Sequence, residues 1–495
     1  MESLLAYIPA DRRQAFAAGE ELPDRTEGAA LFADISGFTP LTEAIVRALG
    51  AQRGAEELPR QLNLIYDALI AEVDQYCGSV LGFSGDAITC WFDGDNGQRA
   101  TACALELHGA MAQFGAVRLP SGGTVTLAMK IAVASGTARR FVVGDPAIQH
   151  IDVLAGAALE RVAIAGHLAG RAEVLLSPEV VAALGESALI VEWRAGRRES
   201  GEPVLYPVIG GLMTSVAPTP WPLLAPDALD EEQIRPWLLP AVYARLRAGQ
   251  DDLLTELRPV VALFLRFSGI DYDGDEDAGA KLDSYVRWVQ AVMARYDGAL
   301  LQLSLDDKGS YFYATFGVPI AHEDNARRAV AAALELRTLP PELSFIHPVQ
   351  IGISQGTMRA GACGGVTRRI YGVMGDEVNL AARLMATAVP GQVLVGARVR
   401  QEAGPTFAWE ALPAIQVKGK AAPVPIFALL SAHRQRAIRL QEPAYTLPMI
   451  GRQAELAMIA EKLDRALAGR GQIVGITAEA GMGKSRLVAE VIRQA

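Results

Sequence analysis

The sequence predicts an α+β fold used twice. Two ferredoxin-like domains of βαββαβ order sit in one chain, and the opening of a third domain follows them. Three observations predict this. First, four blocks recur in one order at offsets between 220 and 232 residues. ALFADISGF (30–38) returns as ALFLRFSGI (262–270), and YCGSVLGFSGDAITCWF (76–92) as YDGALLQLSLDDKGSYFYATF (296–316). DNGQRATACALEL (95–107) returns as DNARRAVAAALEL (324–336), and IAVASG (131–136) as IGISQG (351–356). An internal repeat decides the fold before any single element does. Second, each copy alternates short apolar runs with stretches of helical period. Third, the composition changes after Leu430, where a new strand–glycine-loop–helix pattern begins.

The elements follow in order. ALFADIS is a short apolar strand. Leu62, Ile65, Leu69 and Val73 recur at helical spacing within 58–76, which predicts a helix. The segments around Val80 and Ile88 pair as a hairpin, and Thr101 to Met111 is a second helix. Helices on one face of a sheet give an α+β sandwich. The boundaries expected are 1–210 for the first copy and 255–430 for the second, with a linker at 211–254. That linker is Pro-rich, then helical from Gln233 to Arg247. A further linker covers 431–450, and a third domain begins in 451–495: GRQAEL opens a helix, and GQIVGIT (471–477) reads as a buried strand.

Composition excludes several classes. Hydrophobic residues are 51% and charged residues 21%, enough for each domain to bury a core, so extended disorder is excluded. The net charge of −10 argues against a nucleic-acid partner, which asks for a basic excess. The opening MESLLAYIPADRRQAF does not read as a signal peptide: it has no charged n-region, long apolar h-region or cleavage site. The longest uncharged run, Pro203 to Pro226, is broken by prolines, which excludes a membrane span. Cys77, Cys90, Cys103 and Cys363 lack metal-ligand spacing and read as free thiols of a reducing cytosol. The six histidines are scattered with no pair at ligand spacing.

The two copies agree in scaffold and differ in acids. Asp34 ends the first strand, and Asp86 sits at the hairpin tip, GFSGDA. Two carboxylates on neighbouring strand ends suit a pair of Mg²⁺ ions, which take hard oxygen ligands. Taken alone, they read more readily as acids of surface turns. The second copy has Arg266 in the place of Asp34, and Asp306 in the different loop SLDDKG. It also carries YGVMGDEVNLAARLM (371–385), where Asn379 and Arg383 share one helix face. The matching first-copy stretch, 144–170, lacks that pattern.

ALFADISGFT, FSGDA and MGDEVNLAARLM together resemble the motifs of class III nucleotidyl cyclases. The tandem layout is similar to soluble, bicarbonate-responsive adenylyl cyclases and their bacterial relatives. The resemblance implies two domains packed head to tail as an intramolecular pseudo-heterodimer, so that the chain pairs with itself as a monomer. It implies that Asp34 and Asp86, helped by the Ile35 carbonyl, bind two Mg²⁺ or Mn²⁺ ions. It implies that Phe38 and Thr39 lie along the substrate, that Asn379 orients the ribose and that Arg383 stabilises charge on the α-phosphate. Lys418 matches a lysine that grips the triphosphate, with Lys420 as second choice. The expected reaction is in-line attack of the ribose 3′-oxygen of a nucleoside triphosphate on its α-phosphorus, releasing pyrophosphate. ATP giving cyclic AMP in the cytoplasm is the expected chemistry.

The same resemblance implies one complete site and one degenerate site, because Arg266 replaces a metal ligand. Bicarbonate-responsive relatives carry a lysine and an arginine in the second site. Here the lysine position is Gly82 and the arginine position falls at Ile151 or Ala163, which argues against bicarbonate. Base selection falls on Gln302 and Gly372, which fit neither the adenylyl nor the guanylyl pattern. A cyclase of relaxed or GTP specificity, and a weak or inactive nucleotide-sensing module, therefore stay open. In the tail, AEAGMGKS resembles the phosphate loop, with Ala478 at its first glycine. Backbone amides of 479–485, with Gly483, would cradle phosphates; Lys484 would reach the β/γ oxygens and Ser485 would hold Mg²⁺. The tail resembles the start of a large signalling ATPase domain, and ATP hydrolysis through Lys484 is a third candidate activity. Only ten residues follow Ser485, so a cut inside that domain is expected.

Overall fold

The structure, a computed structural model, describes residues 2–118, 123–197, 201–225, 228–249, 256–306, 309–417, 422–433, 449, 451–478 and 482–494. Residues 1–432 form one compact unit and 433–495 another.

The first copy follows a short N-terminal segment with helices α1 (Glu2–Leu5) and α2 (Ala10–Ala18). It then runs β1 (Arg25–Ser36), α3 (Phe38–Gln75), β2 (Ser79–Ser84), β3 (Ala87–Asp93), α4 (Gln98–Ala112) and β4 (Ala128–Val143). These are the expected βαββαβ elements. The sheet is extended by β5 (Ile151–Ala155), α5 (Ala157–Leu168), β6 (Val174–Leu176), α6 (Pro178–Leu184), β7 (Ala188–Arg197) and β8 (Pro203–Leu212). The strand order is β2-β3-β1-β4-β6-β8-β7, with β5 paired to β4. Helices α7 (Glu231–Ile234) and α8 (Pro240–Arg247) cross to the second copy.

The second copy repeats the plan. It runs β9 (Glu256–Phe267), α9 (Ala278–Arg295), β10 (Ala299–Asp306), β11 (Gly309–Phe316), α10 (Asn325–Arg337) and β12 (Gln350–Gly364). Then come β13 (Arg369–Met374), α11 (Asp376–Thr387), β14 (Val393–Gly396), α12 (Ala397–Ala403), β15 (Phe407–Ile415) and β16 (Val424–Ala432). Its order, β10-β11-β9-β12-β14-β16-β15 with β13 on β12, is that of the first sheet.

Periodicity placed the core well. Leu62, Ile65, Leu69 and Val73 are all at most 1% exposed on the inner face of α3. The helix is longer than its apolar spacing predicts, because it begins at Phe38 and passes a non-helical Gly50. The helix expected over 233–247 is broken: a 3-10 turn covers Arg235–Trp237, and Pro240 starts α8 afresh at its first position. In the second unit, α13 (Gln453–Leu467) and α14 (Lys484–Gln494) form, but residues 471–478 take no strand conformation. Ile473 there is fully exposed. A strand needs a ladder partner, and the described residues of that unit supply none. No helix among the described residues is long and apolar enough to cross a membrane.

The two sheets meet through reciprocal contacts. Copy one's α3 holds the β12–β13 turn of copy two: Asn63 Nδ2 donates to the Ala362 carbonyl (3.3 Å), and the Val366 amide donates to Asp67 (2.7 Å). In return, β10 of copy two lies against β5 of copy one. The N-terminal segment joins both. Leu4, Leu5, Tyr7 and Ile8 pack in a core with Val260, Phe264 and Tyr313 of copy two. Asp11 and Arg12 enter a buried ion network with Arg140 and Asp152 of copy one. Arg140 forks onto Asp152 (2.9 and 2.7 Å) and onto Asp11, while Arg12 Nε reaches Asp152 at 3.1 Å. Burial alone would raise the Asp152 carboxyl, but Arg140 and Arg12 outweigh it and hold it at about 2.

Replacing Asp152 leaves two guanidiniums facing a neutral group in a buried site. Asp152→Asn should therefore cost about 3–5 kcal/mol of stability, read by chemical denaturation at pH 7. The folded value of about 2 lies below the unfolded value of about 3.9, so the contribution is complete above that value and is lost as pH falls through about 2. The stability gap between wild type and Asp152→Asn should narrow between about pH 4 and pH 2.

Candidate functional site

Strand pairing brings the two candidate metal ligands together. Asp34 lies near the end of β1, cross-strand from Ala87 on β3. Asp86 occupies the β2–β3 turn, and its carbonyl accepts from the Ile35 amide at 3.2 Å. Tyr66 of α3 fixes that turn by donating to the Gly85 carbonyl at 2.7 Å. Burial raises the Tyr66 phenol, and the negative charges of Asp86 and Asp34 add to the rise. Tyr66 therefore stays neutral and keeps donating.

The register also explains a residue that sequence reasoning missed. Lys130 on β4 is the direct cross-strand partner of Asp34, and its Nζ lies 3.2 Å from the carboxylate. The same ammonium donates to the Gly166 carbonyl. In copy two the corresponding pair is Arg266 and Gln350. The backbone position is the same and the charges differ.

Asp34, Asp86, Lys130 and Gln302 line one cavity of about 390 Å³ between the copies. Gln302 follows a bulge in β10, as Gly82 follows the matching bulge in β2, so the two hairpins are structural counterparts. Its Nε2 donates to Ser304 Oγ at 2.7 Å. Gly372 lies on β13 opposite Gly361, with room for a side chain: a Cβ there would meet nothing closer than 3.9 Å.

Asn379 and Arg383 sit one turn apart on α11. Leu380, Ala381, Leu384 and Met385 bury the opposite face, while Asn379 is exposed and Arg383 partly so. The helix packs tightly because Gly352 lies beneath it: a Cβ there would approach the Ala381 carbonyl to 2.2 Å. Neither Asn379 nor Arg383 is among the residues lining the cavity. Helices α5 and α11 each have twelve residues and each follow a glycine, Gly156 or Gly375. Counted from those glycines, Asn379 corresponds to Glu160 and Arg383 to Ile164. Gly82, Ile151 and Ala163, the positions weighed for an anion, all line the cavity and carry no charge. His150 lines it too, and burial lowers its pKa, so it is neutral at pH 7.

The remaining candidates lie elsewhere. Phe38 and Thr39 open α3 after Gly37, which has φ of 98°. Lys418 and Lys420, and the side chain of Asp306, lie outside the described residues. In the second unit Lys484 Nζ donates to the Ala478 carbonyl at 2.6 Å, Ser485 follows it into α14, and Gly483 has φ of 79°. All four cysteines are free.

The donor set fits hard divalent cations, which take one or two carboxylates and complete their shell with water and phosphate: here Asp34 and the adjacent Asp86 are those carboxylates. Among the described residues no group of three His, Cys, Asp or Glu forms an alternative centre.

Residues 291–431 match the family model of the adenylate and guanylate cyclase catalytic domain. Adenylate cyclase type 10 of Oryctolagus cuniculus is 26% identical over 94% of this chain and 31% of its own length. The Homo sapiens protein of that name is 25% identical over the same shares. The chain thus spans about a third of the length of these relatives. An adenylate cyclase of Mycobacterium bovis is 27% identical over 37% of this chain and 42% of its own. A class III adenylyl cyclase-like ATP-binding protein from Pseudomonas aeruginosa shares the fold, with a TM-score of 0.52 at 13% identity over 79% of this chain and 92% of that one.

Lys130 competes with any cation for Asp34. Lys130→Met should therefore tighten Mn²⁺ binding to the nucleotide-free protein by several-fold, read by paramagnetic resonance titration. An unchanged affinity would place the Mn²⁺ site away from Asp34.

Proposed function

We propose that this chain, a tandem class III cyclase, converts ATP to cyclic AMP and pyrophosphate at a single site between its copies. One observation carries the reading: Asp34 and Asp86 of copy one line the same cavity as Gln302 of copy two. The matching family model and the adenylate cyclase relatives support it.

In this reading Asp34 and Asp86, with the Ile35 carbonyl, hold two Mg²⁺ or Mn²⁺ ions. When bound, those ions neutralise phosphate charge and acidify the ribose 3′-hydroxyl. The chain supplies position and field. Amides at the start of α3, by Phe38 and Thr39, face phosphate oxygens with the favourable end of the helix dipole. Asn379 orients the ribose, and Arg383 stabilises charge on the α-phosphate. Lys418 or Lys420 grips the triphosphate. Lys130 balances Asp34 while the site is empty of nucleotide.

Gln302 Nε2 gives one N–H to Ser304 and keeps a second donor beside the acceptor Oε1, so the amide can meet either purine edge. The choice of ATP therefore rests on the adenylate cyclase relatives. Gly372 contributes only backbone, so discrimination rests on about one hydrogen bond, worth about 0.5–1.5 kcal/mol. The two copies pair within the chain, and the free cysteines suit a cytoplasmic setting. The P-loop stretch with Lys484 belongs to a further ATPase domain downstream.

A second reading is a nucleotide-binding module without turnover. The ATP-binding neighbour of the same fold, and the position of Asn379 and Arg383 outside the cavity lining, favour it.

The test is incubation with ATP, GTP, CTP and UTP in Mg²⁺ or Mn²⁺. ATP should be cyclised fastest, and Asp34→Asn or Asp86→Asn should lower kcat at least about a hundredfold. Binding of ATP without cyclisation of any nucleotide by the wild type would overturn the cyclase reading in favour of the second.

A further inference from the structure

Arg368 opens the way into β13, and no part of the reading above uses it. Its side chain is buried, with 5% of the residue exposed. Nε donates to the Val80 carbonyl at 2.8 Å. One terminal nitrogen reaches the carbonyls of Arg369 (2.7 Å), Tyr7 (3.1 Å) and Ala6 (3.4 Å). The other reaches the Leu81 carbonyl at 3.4 Å. The guanidinium also stacks over Phe83, 5.7 Å from the ring centre. None of these acceptors carries a charge.

The acceptors belong to three segments. Val80 and Leu81 lie on β2, whose hairpin carries Asp86. Leu81 sits at the register shift between Val80 and Gly82, where a bulge leaves the ladder incomplete. Ala6 and Tyr7 belong to the N-terminal segment. Arg369 begins β13, which holds Gly372 and runs through Gly375 into α11. One side chain of copy two thus ties the acid-bearing hairpin of copy one to the strand that leads to Asn379 and Arg383.

The guanidinium makes no direct ion pair; Asp11 and Asp152 act on it only through space. What the guanidinium offers instead is a rigid planar fork of five donors, which fixes several carbonyls in one plane.

We propose that Arg368 is a positioning residue for the cyclase reaction: it sets the spacing between the Asp86 hairpin and the β13–α11 segment. The proposal rests on the cyclase reading. Its effect is expected in kcat, because a displacement of about 1 Å between reacting groups can cost about a hundredfold.

The experiment compares wild type with Arg368→Met and Arg368→Lys. Both should lower kcat with ATP by about a hundredfold, while KM changes by less than about threefold and the protein stays folded by circular dichroism. If Arg368→Met fails to fold, Arg368→Lys decides, since it keeps the charge and loses the fork. A folded variant with wild-type kcat overturns the proposal. Hydrogen–deuterium exchange on the same proteins reads the clamp without turnover. Exchange should rise together in 79–84 of copy one and 369–374 of copy two; no rise, or a rise in one of them alone, overturns it. If the wild type cyclises nothing, the cyclase reading falls, and exchange alone decides whether Arg368 joins the two copies.

Discussion

Four charged side chains buried together hold the rest in register. Asp11, Arg12, Arg140 and Asp152 form a closed set in which each charge faces an opposite one. Desolvating any one of them alone would be expensive, so the set forms together or not at all. Two of its members come from the N-terminal segment and two from copy one. The residues just before them, Leu4 to Ile8, are inserted into apolar surface of copy two. The same few residues are therefore a common reference for both sheets. Tyr7, Pro9 and Asp152 of this region also line the cavity between the copies.

The two sheets share one strand order, and their side chains break the symmetry. At one end Asp34 faces Lys130 across the strands; at the other, Arg266 faces Gln350. In the proposed reading the first pair would leave a carboxylate for a divalent ion, whereas a guanidinium in the second would disfavour one by charge. Helix α5 carries Glu160 and Ile164 where α11 carries Asn379 and Arg383, so the two copies differ on this helix as well as on the strands.

Much of this was legible in the sequence. Repeat matching gave both copies, because the scaffold strands of each copy keep their apolar pattern. Asp34 and Asp86 could be proposed as neighbours because one falls near the end of an apolar strand and the other in a hairpin turn, and the ladder sets Asp34 across from Ala87, beside Asp86. Lys130 escaped because its partner is ninety-six residues away and the contact exists only in the ladder. The signal was present, since Lys130 precedes IAVASG as Gln350 precedes IGISQG. Arg368 escaped for a different reason: its partners are backbone carbonyls, which leave no trace in residue type. The segment 471–477 misled in the opposite sense. It has strand composition, but composition cannot provide the neighbouring strand that would pair with it.

The cavity that Asp34 and Asp86 line is aliphatic in part, with Leu81, Val153, Leu159, Val162, Leu301 and Leu303, and polar in part, with Gln149, His150, Asp152, His167 and Arg368. The positions where an anion would need a cation, Gly82 and Ala163, are small and uncharged. In the proposed reading, an apolar wall beside the acidic end would make the surroundings less polarisable than water, and hydrogen bonds to a phosphate oxygen would gain accordingly.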